Sequence, residues 1–259
     1  MHTRPPKLIG MVHLLPLPGS PRSASMKAVL ERACSDARSL LDAGFQGLVV
    51  ENFGDAPFLP GQVQPVTVAA MARAIGAVQD VVGTEFPLVA NVLRNDARSA
   101  LGLAAALSLH AIRVNVHVGA RVTDQGLIQG VAHETVRQRE AWSPNVQIWA
   151  DIRVKHSAPL GSERPLAEEA KEAVSRGLAD AVIITGAGTG VSVSDTDLTE
   201  AASAGAPVLV GSGANEKSIA RILQIADGAI VGTATKESGV TTGPVCSSRA
   251  RAIARAAGL

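Results

Sequence analysis

Eight short runs rich in β-branched residues alternate with eight longer amphipathic runs along this 259-residue chain. The short runs predict strands, at Lys7–His13, Gly47–Asn52, Pro87–Val92, Ala111–His117, Val146–Val154, Asp180–Thr185, Pro207–Ser212 and Gly228–Thr233. The longer runs repeat apolar residues at i, i+3 and i+4 and predict helices, at Met26–Ala43, Val66–Val82, Asp96–Leu109, His133–Trp142, Pro165–Arg176, Ser194–Ser203, Glu216–Ile225 and Val245–Ala257. Strands that alternate with helices favour a parallel sheet covered by helices.

Eight β/α units in a chain of this length predict an α/β fold, a single (β/α)8 TIM barrel over residues 1–259. The alternative is an open doubly wound sheet, which usually carries a Gly-x-Gly-x-x-Gly turn after its first strand. Here the first strand is followed by LLPLPGSP, residues 14–21, which lacks that turn. The closed barrel is therefore the expected fold.

The overall composition argues against several classes of partner. The formal net charge is +1 and aromatic residues make up 2% of the chain, which disfavours nucleic-acid binding. The two cysteines, Cys34 and Cys246, show no CxxC spacing and predict a reducing, cytoplasmic compartment. The apolar runs are short or interrupted, and they predict neither a signal peptide nor a transmembrane segment.

The stretch WADIRVKH, residues 149–156, places three charged residues on one face of the fifth strand. In a strand covered by helices, Ile152 and Val154 should face outward, and Asp151, Arg153 and Lys155 should face the lumen or its C-terminal mouth. Because unpaired charges are costly to bury, we expect a ladder in which Arg153 neutralises Asp151 and leaves Lys155 to meet substrate.

Polar side chains also gather at the C-terminal ends of other predicted strands, where barrels build their sites. Glu51 and Asp151 are candidates for acid–base work or for holding a cation, Lys155 for an electrophile or, as the less favoured role, a Schiff-base amine, and His117 for proton transfer. The predicted substrate-binding residues are His13, Asn52, Asn91, Arg94, Asn115, Arg153, His156 and Thr185, of which the two histidines are further proton-transfer candidates. The alternative is a structural polar network that closes the top of the barrel.

Glycine-rich segments follow the last three predicted strands. Those after the seventh and eighth strands, VGSGANEKS and VGTATKESG, occupy the positions at which many barrels bind a phosphate group. Glycine lets backbone N–H groups approach an anion closely, and hydroxyl groups add donors, Thr235 among them. The predicted phosphate-binding residues are Gly186, Gly188, Gly211, Ser212, Gly213, Gly232 and Thr233. The alternative is that these glycines only permit tight turns.

The segment Glu51–Phe58 should border the pocket and help to close it. It follows a strand that ends in a carboxylate, and it carries Phe53 and Phe58, two of the four phenylalanines in the chain. Water exclusion by such a loop strengthens electrostatic contacts inside a site.

Metal binding is an open hypothesis at this stage. Glu51, Asp151, His13 and His117 could supply oxygen and nitrogen ligands, but no compact spacing such as His-Glu-x-x-His occurs. No cofactor is assigned. The form of metal binding that assumes least is a Mg²⁺ ion bound together with a phosphate group.

Several long motifs, in collinear order from Ile9 to about Gly232, resemble those of the BtpA/SgcQ family. They are IGMVHLLPLPGSP, GLVVENFGDAPF, NVLRNDARSALGLAAA, IRVNVHVGA, TDQGLIQG, KHSAPLG and VLVGSGAN. The resemblance implies a (β/α)8 barrel related to phosphate-binding barrels. Through a cyanobacterial member it also implies a link to photosystem I accumulation and peripheral association with membranes, and through another branch a nucleosidase-like activity.

Three functions stay open from the sequence. The leading one is an enzyme, of hydrolase, nucleosidase-like, lyase or isomerase type, that acts on a phosphorylated small molecule resembling a nucleoside phosphate or sugar phosphate. The second is a non-catalytic assembly or regulatory factor, and the third is a sensor of a phosphorylated ligand. The expected partners are that small molecule and, as for most oligomeric proteins, further copies of the same chain.

Overall fold

The computed structural model describes residues 4–186 and 193–259. Its strands, numbered in chain order, are β1 (Leu8–His13), β2 (Gly47–Glu51), β3 (Leu88–Asn91), β4 (Ala111–Val114), β5 (Ala120–Thr123), β6 (Gly126–Gln129), β7 (Gln147–Ile152), β8 (Ser157–Pro159), β9 (Ala181–Ile184), β10 (Val208–Val210) and β11 (Gly228–Val231). Eight of them form a closed barrel of parallel strands in the order β1–β11–β10–β9–β7–β4–β3–β2. Because β2 also pairs with β1, the ring is complete and the predicted (β/α)8 barrel is confirmed.

Helices follow the barrel strands and cover the outside of the barrel. They are α1 (Met26–Leu41), α2 (Pro65–Val82), α3 (Ala97–Leu107), α4 (Ala132–Trp142), α5 (Leu166–Ser175), α6 (Asp195–Ala202), α7 (Ile219–Ile222) and α8 (Ser247–Ala256). The predicted helices are present, but α7 is much shorter than expected. At its N-terminal end, the side chain of Asn215 accepts a hydrogen bond from the Lys217 amide at 2.9 Å and so stabilises a turn before the helix.

Alternate residues on each barrel strand point into the lumen or toward the helices. Ile9, Val49 and Trp149 pack together in the lumen, whereas Leu48 and Ile148 pack under the helices. The same alternation sends the last lumen-facing residue of five strands toward the C-terminal mouth: His13, Glu51, Asn91, Arg113 and Asp151.

A small antiparallel sheet in the order β6–β5–β8 stands beside the C-terminal ends of β4 and β7. These strands were not predicted from the sequence. Thr123 and Gly126 close the turn between β5 and β6, with the Thr123 hydroxyl donating to the Gly126 carbonyl at 3.0 Å. Ile128 packs with Val116 and Val154, which attaches the sheet to the barrel.

Among the described residues, α2 is the helix that is long and apolar enough to cross a membrane by length and composition. Met71, Ala74, Ile75 and Val78 of this helix are buried inside the molecule. Because a core helix of a globular barrel passes the same test, α2 is only a weak indication of a membrane span.

Candidate functional site

A cavity with a volume of about 670 Å³ opens at the C-terminal ends of the barrel strands. Its wall is formed by the C-terminal half of β1 and by the segments that follow β2, β3, β4, β7, β10 and β11. Phe53 and Phe58 both line it, so the predicted position of the Glu51–Phe58 segment is confirmed. This is the end at which barrels of this class carry their sites.

The floor of the cavity contains a buried ion pair. Arg113 donates two hydrogen bonds to Asp151, from Nε to Oδ2 and from Nη2 to Oδ1, each 3.0 Å long. Asn115 Nδ2 donates to Oδ2 of the same carboxylate at 2.7 Å, and Asn91 Nδ2 donates to the Arg113 carbonyl at 3.1 Å. The carboxylate of Asp151 is thus occupied by protein donors, which fits a structural role better than the expected acid–base role.

Glu51 ends β2 and lines the cavity. Burial raises the pKa of Glu51 to about 7 and Asp151 adds to the shift, whereas the positive charges of Arg113, Arg94 and Lys155 oppose it. A carboxyl group with this pKa can gain or lose a proton near neutral pH, as a general acid or base requires.

His13 lies beside Glu51, with Nε2 of the imidazole 3.8 Å from Oε1 of the carboxyl group. The rings of His13 and Phe53 are 4.8 Å apart between centroids. Burial and, to a lesser extent, the charge of Lys236 lower the pKa of His13 to about 3. The imidazole is therefore neutral at pH 7, so its contact with Glu51 is not an ion pair.

Lys155 and His156 follow β7 and both line the cavity. His156 reaches it because its backbone turns, with φ at 55°. Burial and the neighbouring Arg113 lower the pKa of the Lys155 ammonium, and Asp151 and Glu51 oppose that shift. The Lys155 amine is thus a less strongly protonated group than an exposed lysine, in the same cavity as Glu51.

The segment after β10 presents donors to the cavity. Ser212, Gly213 and Ala214 line it, and their backbone N–H groups donate to no acceptor within residues 4–186 and 193–259. The Ser212 hydroxyl oxygen is buried and, within the same ranges, has no hydrogen-bond partner. Buried donors without a protein acceptor are the groups that an anion would satisfy.

The segment after β11 forms the neighbouring wall. Gly232 and Thr233 line the cavity, and the Thr233 hydroxyl lies 2.9 Å from that of Thr241. A Cβ atom added at Gly232 would stand 3.0 Å from Cε1 of His13, so a larger residue would press on the imidazole. Thr235 was expected to face an anion, but it is fully buried and its hydroxyl donates to the Gly232 carbonyl at 2.8 Å.

Two of the predicted phosphate-binding glycines have other positions or roles, and a third cannot be placed. The Gly211 amide donates to the Ile184 carbonyl at 2.8 Å and is unavailable to an anion. Glycine is needed there because an added Cβ would stand 2.4 Å from Cγ2 of Ile183. Gly186 is buried after β9 and is not among the residues that line the cavity. Gly188 lies outside the described residues.

Three predicted polar residues join loops to one another and do not face the cavity. His117 was expected in the lumen, but β4 ends at Val114 and its alternation stops; the imidazole Nε2 contacts the Gly177 carbonyl at 2.7 Å. The Thr185 hydroxyl donates to the Arg153 carbonyl at 3.2 Å. The Asn52 side chain accepts from the amide of Leu93 at 2.7 Å.

The predicted charge ladder on β7 is wrong. The strand ends at Ile152, and Arg153 takes a φ of 55°, which turns its side chain away from the lumen. Its guanidinium Nε lies 3.1 Å from a carboxylate oxygen of Glu163 and 3.1 Å from one of Glu169. The cation that neutralises Asp151 comes from the neighbouring strand β4.

The cavity also contains residues that were not predicted. Asp124 comes from the turn between β5 and β6, and Thr241 and Arg249 come from the region after β11. The alternating sequence around the Asp-Gln-Gly turn could have indicated the hairpin. Nothing in the local pattern indicated Thr241 or Arg249, which approach the mouth only when the barrel closes.

The metal hypothesis finds no protein-only site in the described part of the chain. Within residues 4–186 and 193–259, no group of three or more His, Cys, Asp or Glu side chains is arranged to hold a metal ion. A Mg²⁺ ion would therefore depend on oxygen atoms of a bound phosphate for much of its coordination.

Comparisons with known proteins cover nearly the whole chain. The BtpA family profile matches residues 4–258. The chain is 45% identical over 235 residues to "Photosystem I biogenesis protein BtpA" of Synechocystis sp., covering 90% of this chain and 81% of that protein. It is 43% identical over 253 residues to an uncharacterized protein of Pyrococcus furiosus, covering 96% of this chain and 93% of that one.

The fold of this chain is also similar to solved structures whose sequences have low identity to it. The structure described as native KDPGal has a TM-score of 0.60 and 15% identity, covering 99% of this chain and 96% of that one. At such low identity the likeness shows the barrel fold alone. The family match and the 45% identical relative show more: the chain belongs to the BtpA family.

Proposed function

We propose that this chain is an enzyme that acts on a phosphorylated small molecule, of the nucleoside phosphate or sugar phosphate type, at the C-terminal mouth of the barrel. One arrangement carries the proposal. The buried Ser212 hydroxyl and the backbone donors of Gly213 and Ala214 share one cavity with Glu51 and Lys155. The first group suits an anion, and the second suits proton transfer and charge stabilisation beside it.

In this mechanism Glu51 moves the proton. Because its pKa is about 7, the carboxyl group is populated in both protonation states at neutral pH and can act as acid or base at Oε1 or Oε2. The neutral His13, 3.8 Å away, adds no positive charge that would favour the ionised form of Glu51. Lys155 then stabilises negative charge that develops on the substrate. Arg113 and Asp151 form the floor of the cavity through their paired hydrogen bonds.

The anion-binding half of the proposal is tested by calorimetric titration with inorganic phosphate and with ribose 5-phosphate. We expect both to bind the parent protein. We also expect Gly213→Val to weaken binding about tenfold or more, because a bulky side chain obstructs the approach to the neighbouring amides. Gly213 has a φ of 80°, so the variant also carries backbone strain that must be controlled.

Gly205→Val is the matched control. Gly205 has a φ of 78°, and nothing lies within 4 Å of a Cβ added there. This variant should lose a similar amount of thermal stability and keep its affinity for phosphate. Equal affinity of the two variants, or failure of the parent protein to bind either probe, would refute the anion site.

A second candidate function is an assembly factor without turnover. It is favoured by one observation, the 45% identity to the Synechocystis protein whose name includes photosystem I biogenesis. The two candidates differ in what Glu51 does. If this chain replaces that protein in Synechocystis cells and restores photosystem I, Glu51→Gln should abolish the effect for an enzyme and preserve it for an assembly factor.

A further inference from the structure

Arg94 is a buried positively charged residue in the wall of the cavity. It follows β3, lines the cavity and is only 8% exposed. Its guanidinium Nη2 donates to the Lys155 carbonyl at 2.7 Å, which fixes one edge of the group. Burial lowers the pKa of this guanidinium, and the more distant charges of Asp151, Glu51 and Asp124 offset part of that shift.

In the part of the chain that the structure describes, Arg94 lacks the carboxylate partner that the other buried cations possess. Among the described residues, the buried Arg and Lys side chains are those of Arg94, Arg113, Arg139 and Lys236. The last three each have a carboxylate oxygen within 3.0 Å, on Asp151, Asp180 and Asp36 respectively. For Arg94 no carboxylate of residues 4–186 and 193–259 lies within 4 Å. A buried charge is retained at high cost unless something pairs with it.

Arg94 and the proposed phosphate site lie on opposite sides of the barrel. Four steps around the barrel, in either direction, lead from β3 to β10, so the two strands face each other across the lumen. Arg94 follows the first strand, and Ser212–Ala214 follow the second. Both segments line the same cavity.

We propose that the ligand carries a second anionic group, at the end opposite its phosphate, and that this group binds the guanidinium of Arg94. The inference rests on the proposed function and narrows the substrate class. The ligand would be a phosphorylated small molecule with either a carboxylate or a second phosphate at its far end. Arginine suits both, because its planar fork of N–H donors matches the oxygens of either group.

Three open-chain probes of six carbons differ at C1 alone and test the inference by calorimetry. Sorbitol 6-phosphate has a hydroxyl there, 6-phosphogluconate a carboxylate, and sorbitol 1,6-bisphosphate a second phosphate. We expect the parent protein to bind at least one of the two probes that carry an anionic group at both ends about tenfold or more tightly than sorbitol 6-phosphate. Which probe is preferred identifies the group as carboxylate or phosphate.

Arg94→Gln should abolish that preference and change the affinity for sorbitol 6-phosphate by less than about twofold. Arg94→Lys should keep part of the preference, because the charge stays. The melting temperature of Arg94→Gln should equal or exceed that of the parent protein, since an unpaired buried charge is removed. A purely structural Arg94 would instead make this variant melt lower.

Two results would overturn the inference. One is a parent protein that binds sorbitol 6-phosphate as tightly as the two other probes. The other is a preference that persists in Arg94→Gln. If the parent protein binds neither sorbitol 6-phosphate nor inorganic phosphate, the proposed phosphate site itself fails, which is a different result from equal binding of all three probes.

Discussion

Arg113 and Asp151, on the neighbouring strands β4 and β7, form a bidentate ion pair with two contacts of 3.0 Å. The side chain of Arg113 is 9% exposed and that of Asp151 is 0% exposed. The pair forms the floor of the cavity, where the side chain of Asn115 also donates a hydrogen bond to Asp151. Removal of either partner leaves a buried charge without a counterion.

Asp151→Ala should therefore lower the free energy of unfolding by about 3–5 kcal/mol. Arg153→Ala is the matched control, because the Arg153 side chain is 29% exposed and pairs with Glu163 and Glu169 near the surface. It should cost about 1 kcal/mol or less. Urea denaturation of both variants measures the difference. A loss in Arg153→Ala as large as that in Asp151→Ala would contradict the pairing of Asp151 with Arg113.

The raised pKa of Glu51 predicts a pH-dependent difference between the parent protein and Glu51→Gln. Between pH 4.5 and about 7 the unfolded chain loses the Glu51 proton, whereas the folded chain keeps it. The parent protein therefore loses stability as pH rises through this window. Glutamine stays neutral, so the variant should match the parent below pH 4.5 and exceed its stability above pH 7, by up to about 3 kcal/mol.

The free energies of unfolding of the parent protein and Glu51→Gln must be compared at the same pH. The reason is that His13 changes the stability with pH in the opposite direction to Glu51. Its pKa is lowered from 6.5 to about 3, so the unfolded chain takes up a proton as pH falls through that range. His13 thus stabilises the fold increasingly up to pH 6.5 and masks part of the Glu51 effect in the parent protein. A stability difference that stays constant from pH 4 to pH 8 would contradict the raised pKa.

Lys236 predicts a link between a buried ion pair and the wall of the cavity. Its Nζ donates to Oδ2 of Asp36 at 2.7 Å, and Oδ1 of Asp36 accepts from the Val245 amide at 2.7 Å. These bonds tie the segment after β11, which carries Thr233 and Thr241, to α1. Lys236→Met should cost about 3 kcal/mol of stability and weaken phosphate binding.

The double variant Asp36→Asn/Lys236→Met provides the control for this pair. Asp36 also pairs with the partly exposed Arg32 at 3.2 Å, and that contact is weakened whenever Asp36 is neutral. The double variant nevertheless removes both buried charges of the Lys236–Asp36 pair, so it should lose less stability than the sum of the two single variants. Chemical denaturation of all four proteins gives the coupling energy. Strict additivity would mean that the two side chains do not stabilise each other.

The barrel could be predicted from the sequence because its signals are local and repeat eight times. Strand and helix periodicities depend on side-chain direction along a few residues, and each β/α unit repeats them. The same alternation correctly placed His13, Glu51 and Asn115 toward the mouth. It held for Asn115, one residue beyond the end of β4 at Val114, but failed for His117, three residues beyond it. It also failed for Arg153, which follows the end of β7 and takes a φ of 55°.

By itself, therefore, the sequence determined the closed barrel, the end at which polar side chains meet and the glycine-rich segments beside that end. Only the tertiary structure decided which cation neutralises Asp151. It also decided which amides have no acceptor, and that Arg94 is buried without a carboxylate, among residues 4–186 and 193–259. The physical reason is that alternation holds only while the backbone stays extended. Beyond a strand end, partners are chosen by distances across the closed ring, and such distances join residues far apart in the sequence.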